Sequence, residues 1–145
     1  MIGYFDTSAL VKLVLIEQGT DVVFSAWGGV DSRLTSRLAF PEARAALAAA
    51  ERTGRIGPTE HRAAKRELRL RAAQVDVIEL SPDIADQAGD IAERFALTGA
   101  DAVHLASGLA VFGPEGDGIF LTWDRRLAVG AAAAGLTVLP QPQTS

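Results

Sequence analysis

Ile2-Gly3-Tyr4-Phe5-Asp6-Thr7-Ser8-Ala9-Leu10 opens the chain with a short apolar run, an acid and two hydroxyl residues, and then apolar residues at helical spacing. Four apolar-compatible residues bounded by a carboxylate suit a buried strand, and Thr7 or Ser8 can cap a helix over Ser8–Glu17. The same phrase returns late in the sequence as Ile119-Phe120-Leu121-Thr122-Trp123-Asp124-Arg125-Arg126-Leu127. It reads as a buried strand over 119–122, an acid, and a helix over 124–134 stopped by Gly135.

Working outward from these two phrases gives an alternating chain. Helices are expected over 20–27, 36–52, 59–73, 82–97 and 100–111. Strands are expected over 31–34, 75–80 and 136–139. Pro41 lies inside the 36–52 pattern, so that helix either kinks there or starts there. Residues 113–118 read as a connecting loop, and they lack the Gly-Lys-Ser/Thr of a phosphate-binding loop. Leu10, Leu13, Val14, Phe24 and Trp27 form an apolar stripe expected in the core. Strands alternating with helices predict an α/β fold with a mainly parallel sheet of about five short strands covered on both faces. One domain is expected over 1–140, followed by a frayed tail over 141–145.

Composition narrows the function classes. With 145 residues and 48% hydrophobic content the chain can bury a core without staples. It has no Cys, which excludes disulfides, thiolate metal sites and cysteine nucleophiles. No secretory signal or membrane-length apolar run is present, so a cytoplasmic protein is expected. The formal net charge is -4, but it is unevenly spread. Residues 33–71 hold ten Lys or Arg against four Glu, whereas the rest holds four basic and fourteen acidic residues. Such a basic segment marks either a polyanion-binding face or a solvated helix face. Arg62, Arg66 and Arg69 recur at helical spacing within it, and Arg125 follows the last acid.

In a parallel α/β sheet, ligands bind beyond the carboxyl ends of the strands, where the strand order reverses. Asp6 and Asp124 both stand at such ends. Asp101 opens a helix in Gly99-Ala-Asp-Ala-Val-His104, and Glu42 lies in Leu38-Ala-Phe-Pro-Glu-Ala-Arg44. Each aspartate also has an ordinary reading as a cap or first-turn acid. Glu42 fits that reading poorly, because its neighbours are Ala, Leu and Phe and a buried carboxylate needs a partner, a proton or a metal. If the four meet, they form a hard oxygen site suited to Mg²⁺ or Mn²⁺ and unsuited to Zn²⁺. Such a site polarises a phosphodiester and activates water. His104 shares a helix face with Asp101 and reads more readily as a packed core histidine.

These four blocks, in this order, resemble the signature of PIN-domain nucleases, and their size and spacing are similar to the VapC toxins of type II toxin–antitoxin pairs. The resemblance spans residues 2–139. It implies a three-layer α/β/α sandwich and a Mg²⁺-dependent endoribonuclease, with Mn²⁺ as a substitute. It implies a homodimer neutralised by a small antitoxin protein, with RNA as substrate. It assigns catalysis to Asp6, Glu42, Asp101 and Asp124, metal binding to Asp6, Asp101 and Asp124, and support to Thr7, Ser8 and Thr122. RNA contacts fall to Arg62, Arg66, Arg69 and Arg125. Trp123 departs from the pattern, being bulkier than the small residue expected before the last acid. Two other readings are a non-catalytic PIN-like module binding RNA or protein, and a phosphatase of the haloacid dehalogenase type. The phosphatase needs a second acid two residues after Asp6, where Ser8 stands. A response-regulator receiver needs an acid pair after the first strand and a Lys after the last strand, and neither is present.

Overall fold

The computed structural model describes residues 1–112 and 117–142. The elements are β1 (Ile2–Phe5), α1 (Thr7–Val14), α2 (Thr20–Gly29), β2 (Ser32–Ser36), α3 (Ala39–Arg52), α4 (Pro58–Ala72), β3 (Asp76–Ile78), α5 (Pro82–Phe95), α6 (Gly99–Phe112), β4 (Gly118–Leu121), α7 (Arg125–Ala133) and β5 (Thr137–Leu139). The five strands form one sheet in the order β3-β2-β1-β4-β5, and every pairing is parallel. β1 lies at the centre beside β4, with Phe5 opposite Leu121. The order reverses between these two strands. Their carboxyl ends therefore open on one crevice, and Asp6 and Asp124 stand at its two sides.

Alternation along β1 divides the core. Tyr4 packs with Phe120, Leu105, Leu127 and Ile84 under α5, α6 and α7. Phe5 packs with Leu10, Leu13, Trp27 and Leu121 under α1 and α2. A third cluster, with Leu15, Leu47 and Ala64, ties α3 and α4 to the end of α1. The result is the expected three-layer sandwich.

Most sequence boundaries hold within a residue or two, and the differences have local causes. Asp6, not Thr7 or Ser8, caps α1: its side chain accepts from the Ala9 amide. Asp124 caps α7 in the same way and lies outside the helix expected to include it. β2 runs to Ser36, so α3 begins at Ala39, with Pro41 in the first turn where its missing N–H costs nothing. Gly118 belongs to β4 rather than to the preceding loop, and the rest of that loop, 113–116, lies outside the described residues. Gln141 and Pro142 carry no regular structure, and 143–145 lie outside the description. Phe24 is not a core residue: it stays 45% exposed, with the Arg71 guanidinium 5.4 Å from its ring. Among the described residues no single helix is long and apolar enough to cross a membrane.

Leu105 is fully buried where α6 crosses the sheet. Leu105→Ala should lower unfolding free energy by about 2–5 kcal/mol, the usual range for a truncated core leucine. Urea unfolding checks this, and a loss below about 1 kcal/mol would mean that this face carries little of the core's stability.

Candidate active site

The crevice beyond β1 and β4 is an open cleft of about 340 Å³ lined by Asp6, Thr7, Ser8, Glu42, Asp101, His104 and Asp124, with Glu17 and Arg55 at its α1–α3 side. All four sequence-predicted acids therefore converge. Each arrives on a different element. Asp6 ends β1 and starts α1, and Asp124 follows β4 and starts α7. Glu42 sits in the first turn of α3, and Asp101 in the first turn of α6. Four helix N-termini thus face one cleft, and their dipoles favour negative charge there.

The capping and functional readings of Asp6 and Asp124 hold together. Asp6 Oδ1 accepts from the Ala9 amide at 2.9 Å and from Ser8 Oγ at 2.6 Å. Asp124 Oδ1 accepts from the Leu127 amide at 2.9 Å. In both, Oδ2 takes no part in the cap. The hydroxyls of Thr7, Ser8 and Thr122 bond the acids or their backbone. Ser8 Oγ donates to Asp6 and accepts from the Trp123 amide at 2.9 Å, linking the β1 and β4 sides. Thr122 Oγ1 accepts from the Asp124 amide at 3.0 Å. Thr7 Oγ1 donates to Glu42 Oε1 at 2.6 Å. No second acid stands near Asp6 in Ser8's place, which removes the phosphatase reading.

His104 is a buried core histidine, as its surroundings suggest, but it also belongs to the site. Its Nε2 lies 2.8 Å from Glu42 Oε1, and its Nδ1 lies 2.7 Å from the Tyr4 hydroxyl. An ionised carboxylate only accepts, so Nε2 carries the proton given to Glu42. The Tyr4 phenol is pushed well above its ordinary pKa by burial and by the Asp6 charge, so it keeps its proton. Nδ1 faces the Tyr4 hydroxyl and accepts from it whenever it carries no proton of its own. The sequence signal for this role is faint. Asp101 and His104 are three residues apart, but nothing local in the sequence points His104 at Glu42, sixty-two positions earlier.

The charges are graded. The His104 hydrogen bond, aided by Thr7, holds Glu42 below the usual carboxylate range despite partial burial. Burial raises Asp6, although His104, Ser8, Thr122 and the Ala9 amide oppose it. Asp101 is raised by burial first, then by the charge of Asp124. Carboxylates that repel across a cleft, with oxygen donors only, are the chemistry that accepts a hard divalent cation. Among the described residues no three acidic or histidine side chains are drawn into a ready-made ligand set.

The arginines expected to touch RNA do not line this cleft. Arg62, Arg66 and Arg69 lie exposed along α4, and Arg62 is bonded to Thr59. Arg125 lines a separate groove with Arg126, Phe95 and Val129. Arg55, which no sequence pattern singled out, does line the cleft. Trp123, the bulky departure, is accommodated by Gly19. A Cβ there would stand 2.8 Å from the indole Nε1, and the φ of +95° also favours glycine.

The sequence pattern of the PIN domain matches residues 3–129. The chain belongs to the PIN-domain family. It is 47% identical over 137 residues to ribonuclease VapC45 of Mycobacterium tuberculosis strain CDC 1551 / Oshkosh, covering 94% of each chain. Among solved structures, PAE2754 from Pyrobaculum aerophilum superposes with a TM-score of 0.68 at 24% identity, covering 96% of this chain and 84% of that one. A toxin–antitoxin complex from Klebsiella pneumoniae superposes at 0.66 with 17% identity, covering 99% of both chains. At these identities the two structures establish the shared fold.

The raised pKa values of Asp6 and Asp101 have a stability consequence with a definite sign. A folded state that holds its proton more tightly is favoured at low pH, and this contribution is lost as pH rises from about 4 through the raised folded values. At pH 7.5 in chelator the cluster should therefore weaken the fold. Asn keeps the cap acceptor of Asp6 without its charge, so Asp6→Asn should melt higher than wild type in EDTA at pH 7.5. The difference should narrow below about pH 4. Millimolar Mn²⁺ should raise the wild-type melting temperature more than that of Asp6→Asn. A lower melting temperature for Asp6→Asn in EDTA, with no Mn²⁺ effect on either protein, would mean that the acids are independent caps.

Proposed function

We propose that this protein is a Mg²⁺-dependent endoribonuclease, the toxin of a type II toxin–antitoxin pair, acting on RNA phosphodiesters at the carboxylate cleft. The observation that carries this reading is the convergence of Asp6, Glu42, Asp101 and Asp124 beyond β1 and β4. Family membership and the 47% identity to a VapC ribonuclease agree with it. Asp6, Asp101 and Asp124 would hold the cation through oxygens that the helix caps leave free. When bound, Mg²⁺, or Mn²⁺ in its place, supplies a Lewis acid for the phosphodiester and lowers the pKa of water.

The chain's own groups divide the remaining work. Glu42 is kept ionised by His104 and Thr7, both of which bind Oε1. Oε2 is left to orient an attacking water and take its proton. Tyr4 fixes His104, and His104 fixes Glu42, so the Glu42 carboxylate is positioned before substrate arrives. Ser8 and Thr122 hold Asp6 and Asp124 at a set separation across the β1–β4 seam. The exposed Arg62, Arg66 and Arg69 on α4, and Arg125 beyond the cleft, would meet RNA leaving the cut site. A small antitoxin protein is the proposed partner, in keeping with the toxin–antitoxin complex that shares this fold, and a homodimer the proposed assembly.

Asp6→Asn, Glu42→Gln, Asp101→Asn and Asp124→Asn should each lower cleavage of a random-sequence RNA pool by at least ~100-fold at limiting Mg²⁺, since each removes a ligand or positioned base worth several kcal/mol. Any variant that keeps full activity takes its residue out of the site.

Replacing Arg62, Arg66 and Arg69 together by Gln should weaken RNA binding and flatten its salt dependence, each lost phosphate contact reducing the slope by about 0.7 for single strands. An unchanged slope would leave the α4 stripe as a solvated face.

A further inference from the structure

Five carboxylates line the cleft, namely Asp6, Glu17, Glu42, Asp101 and Asp124, and among the described residues Arg55 is the only Lys or Arg that joins them. A polyanion approaching such a surface is repelled unless cations are placed along its path. Arg55 is held at its backbone and at one guanidinium nitrogen. It follows Gly54, whose φ of +80° turns the chain at the end of α3, and its amide donates to the Ala50 carbonyl at 2.9 Å. Its Nη2 donates to Glu17 Oε2 at 2.7 Å. Among the described residues its other guanidinium N–H groups have no partner, and the side chain is 59% exposed.

Glu17 would be expected to cancel the charge of Arg55. Here it is already engaged, because Oε1 accepts from Lys12 Nζ at 2.9 Å. The Lys12 side chain is only 12% exposed, does not line the cleft, and lies 5.1 Å from the Trp123 ring centroid. Trp123 in turn rests on Gly19. The Glu17 backbone is pinned as well: its amide donates to Thr20 Oγ1, which itself donates to the Lys12 carbonyl. Two cations therefore share one carboxylate, and the triad keeps one positive charge, presented by Arg55 at the edge of the cleft.

We propose that Arg55 is a substrate-positioning residue whose guanidinium, braced by Glu17 and left charged by Lys12, binds a phosphate of the RNA strand as it crosses the carboxylate cleft. Arginine suits the task because its planar fork can give one N–H to Glu17 and two more to a phosphate. The proposal assigns a purpose to the bulky Trp123: it covers Lys12, which neutralises Glu17 from the protein side. It rests on the reading of the cleft as an RNA-cleaving site.

The test separates binding from cleavage. Wild type, Arg55→Gln, Arg55→Lys and Lys12→Met are titrated with a fluorescein-labelled random-sequence RNA 20-mer in EDTA at several salt concentrations, with a thermal melt of each protein. Arg55→Gln should flatten the slope of log affinity against log salt by about 0.7. Lys12→Met should do the same although Lys12 lies outside the cleft, because Glu17 then cancels Arg55. Arg55→Lys should restore the slope but not the full affinity, since a point charge lacks the fork. In Mn²⁺, Arg55→Gln should raise KM for the same RNA by about tenfold, the worth of one charged hydrogen bond, and by more than it lowers kcat. An unchanged slope in a folded Arg55→Gln overturns the proposal, as does a wild type that does not bind the RNA. A slope lost in Arg55→Gln but kept in Lys12→Met overturns the role of Lys12. A wild type that binds with the expected slope but does not cleave the RNA in either Mg²⁺ or Mn²⁺ would sink the nuclease reading and leave Arg55 as an RNA contact.

Discussion

The site depends on the parallel pairing of β1 with β4. Their register sets Phe5 beside Leu121, so each strand ends at the same level and hands the chain to an aspartate. Each aspartate then starts a helix by capping it with one oxygen. A cap needs only one acceptor, and a carboxylate has two. The second oxygen of each is left out of the cap, and both aspartates line the cleft. The local stability of two helices and the placement of two acids are one arrangement.

Such an arrangement stores repulsion. Asp6 is almost fully buried, and Asp101 is raised by its own burial and by the charge of Asp124, so the folded chain disfavours ionisation of both. The fold tolerates this through hydroxyls and backbone amides that solvate the acids from the protein side. Ser8, Thr7 and Thr122 are not spectators in this respect: each bonds an acid or the backbone that carries one. The strain makes the cleft receptive to a divalent cation, which relieves the repulsion on binding. The side chains that line the cleft offer carboxylate and hydroxyl oxygens, and His104 turns its Nε2 to Glu42.

The layer under Tyr4 shows how a core can serve a surface site. Tyr4 stacks on Phe120 with ring centroids 4.8 Å apart, and its hydroxyl reaches His104. A buried Tyr and His both need partners, and the arrangement that satisfies them ends at Glu42, which the His104 hydrogen bond holds below the usual carboxylate range. On the opposite side, Lys12 and Trp123 prepare Glu17 and Arg55. The cleft is thus positioned from both halves of the sandwich.

The sequence by itself determined the order and type of the elements, the parallel sheet, the four acids and their supporting hydroxyls. These are local matters: alternation, caps, turn residues and the position of an acid after a strand are all written within a few residues. The bulky Trp123 was visible as a departure, but not its seat on Gly19. What only the tertiary structure decided is which side chains meet across the chain. His104 joins Glu42 and Tyr4 from sixty-two and one hundred positions away, and Arg55 joins Glu17 across thirty-eight. It also moved Phe24 out of the core and kept the α4 arginines away from the cleft, because helical spacing fixes which residues share a face but not what that face meets. Long-range contacts depend on how helices pack over the sheet, and that packing follows from burying apolar area everywhere at once, which no single stretch of sequence records.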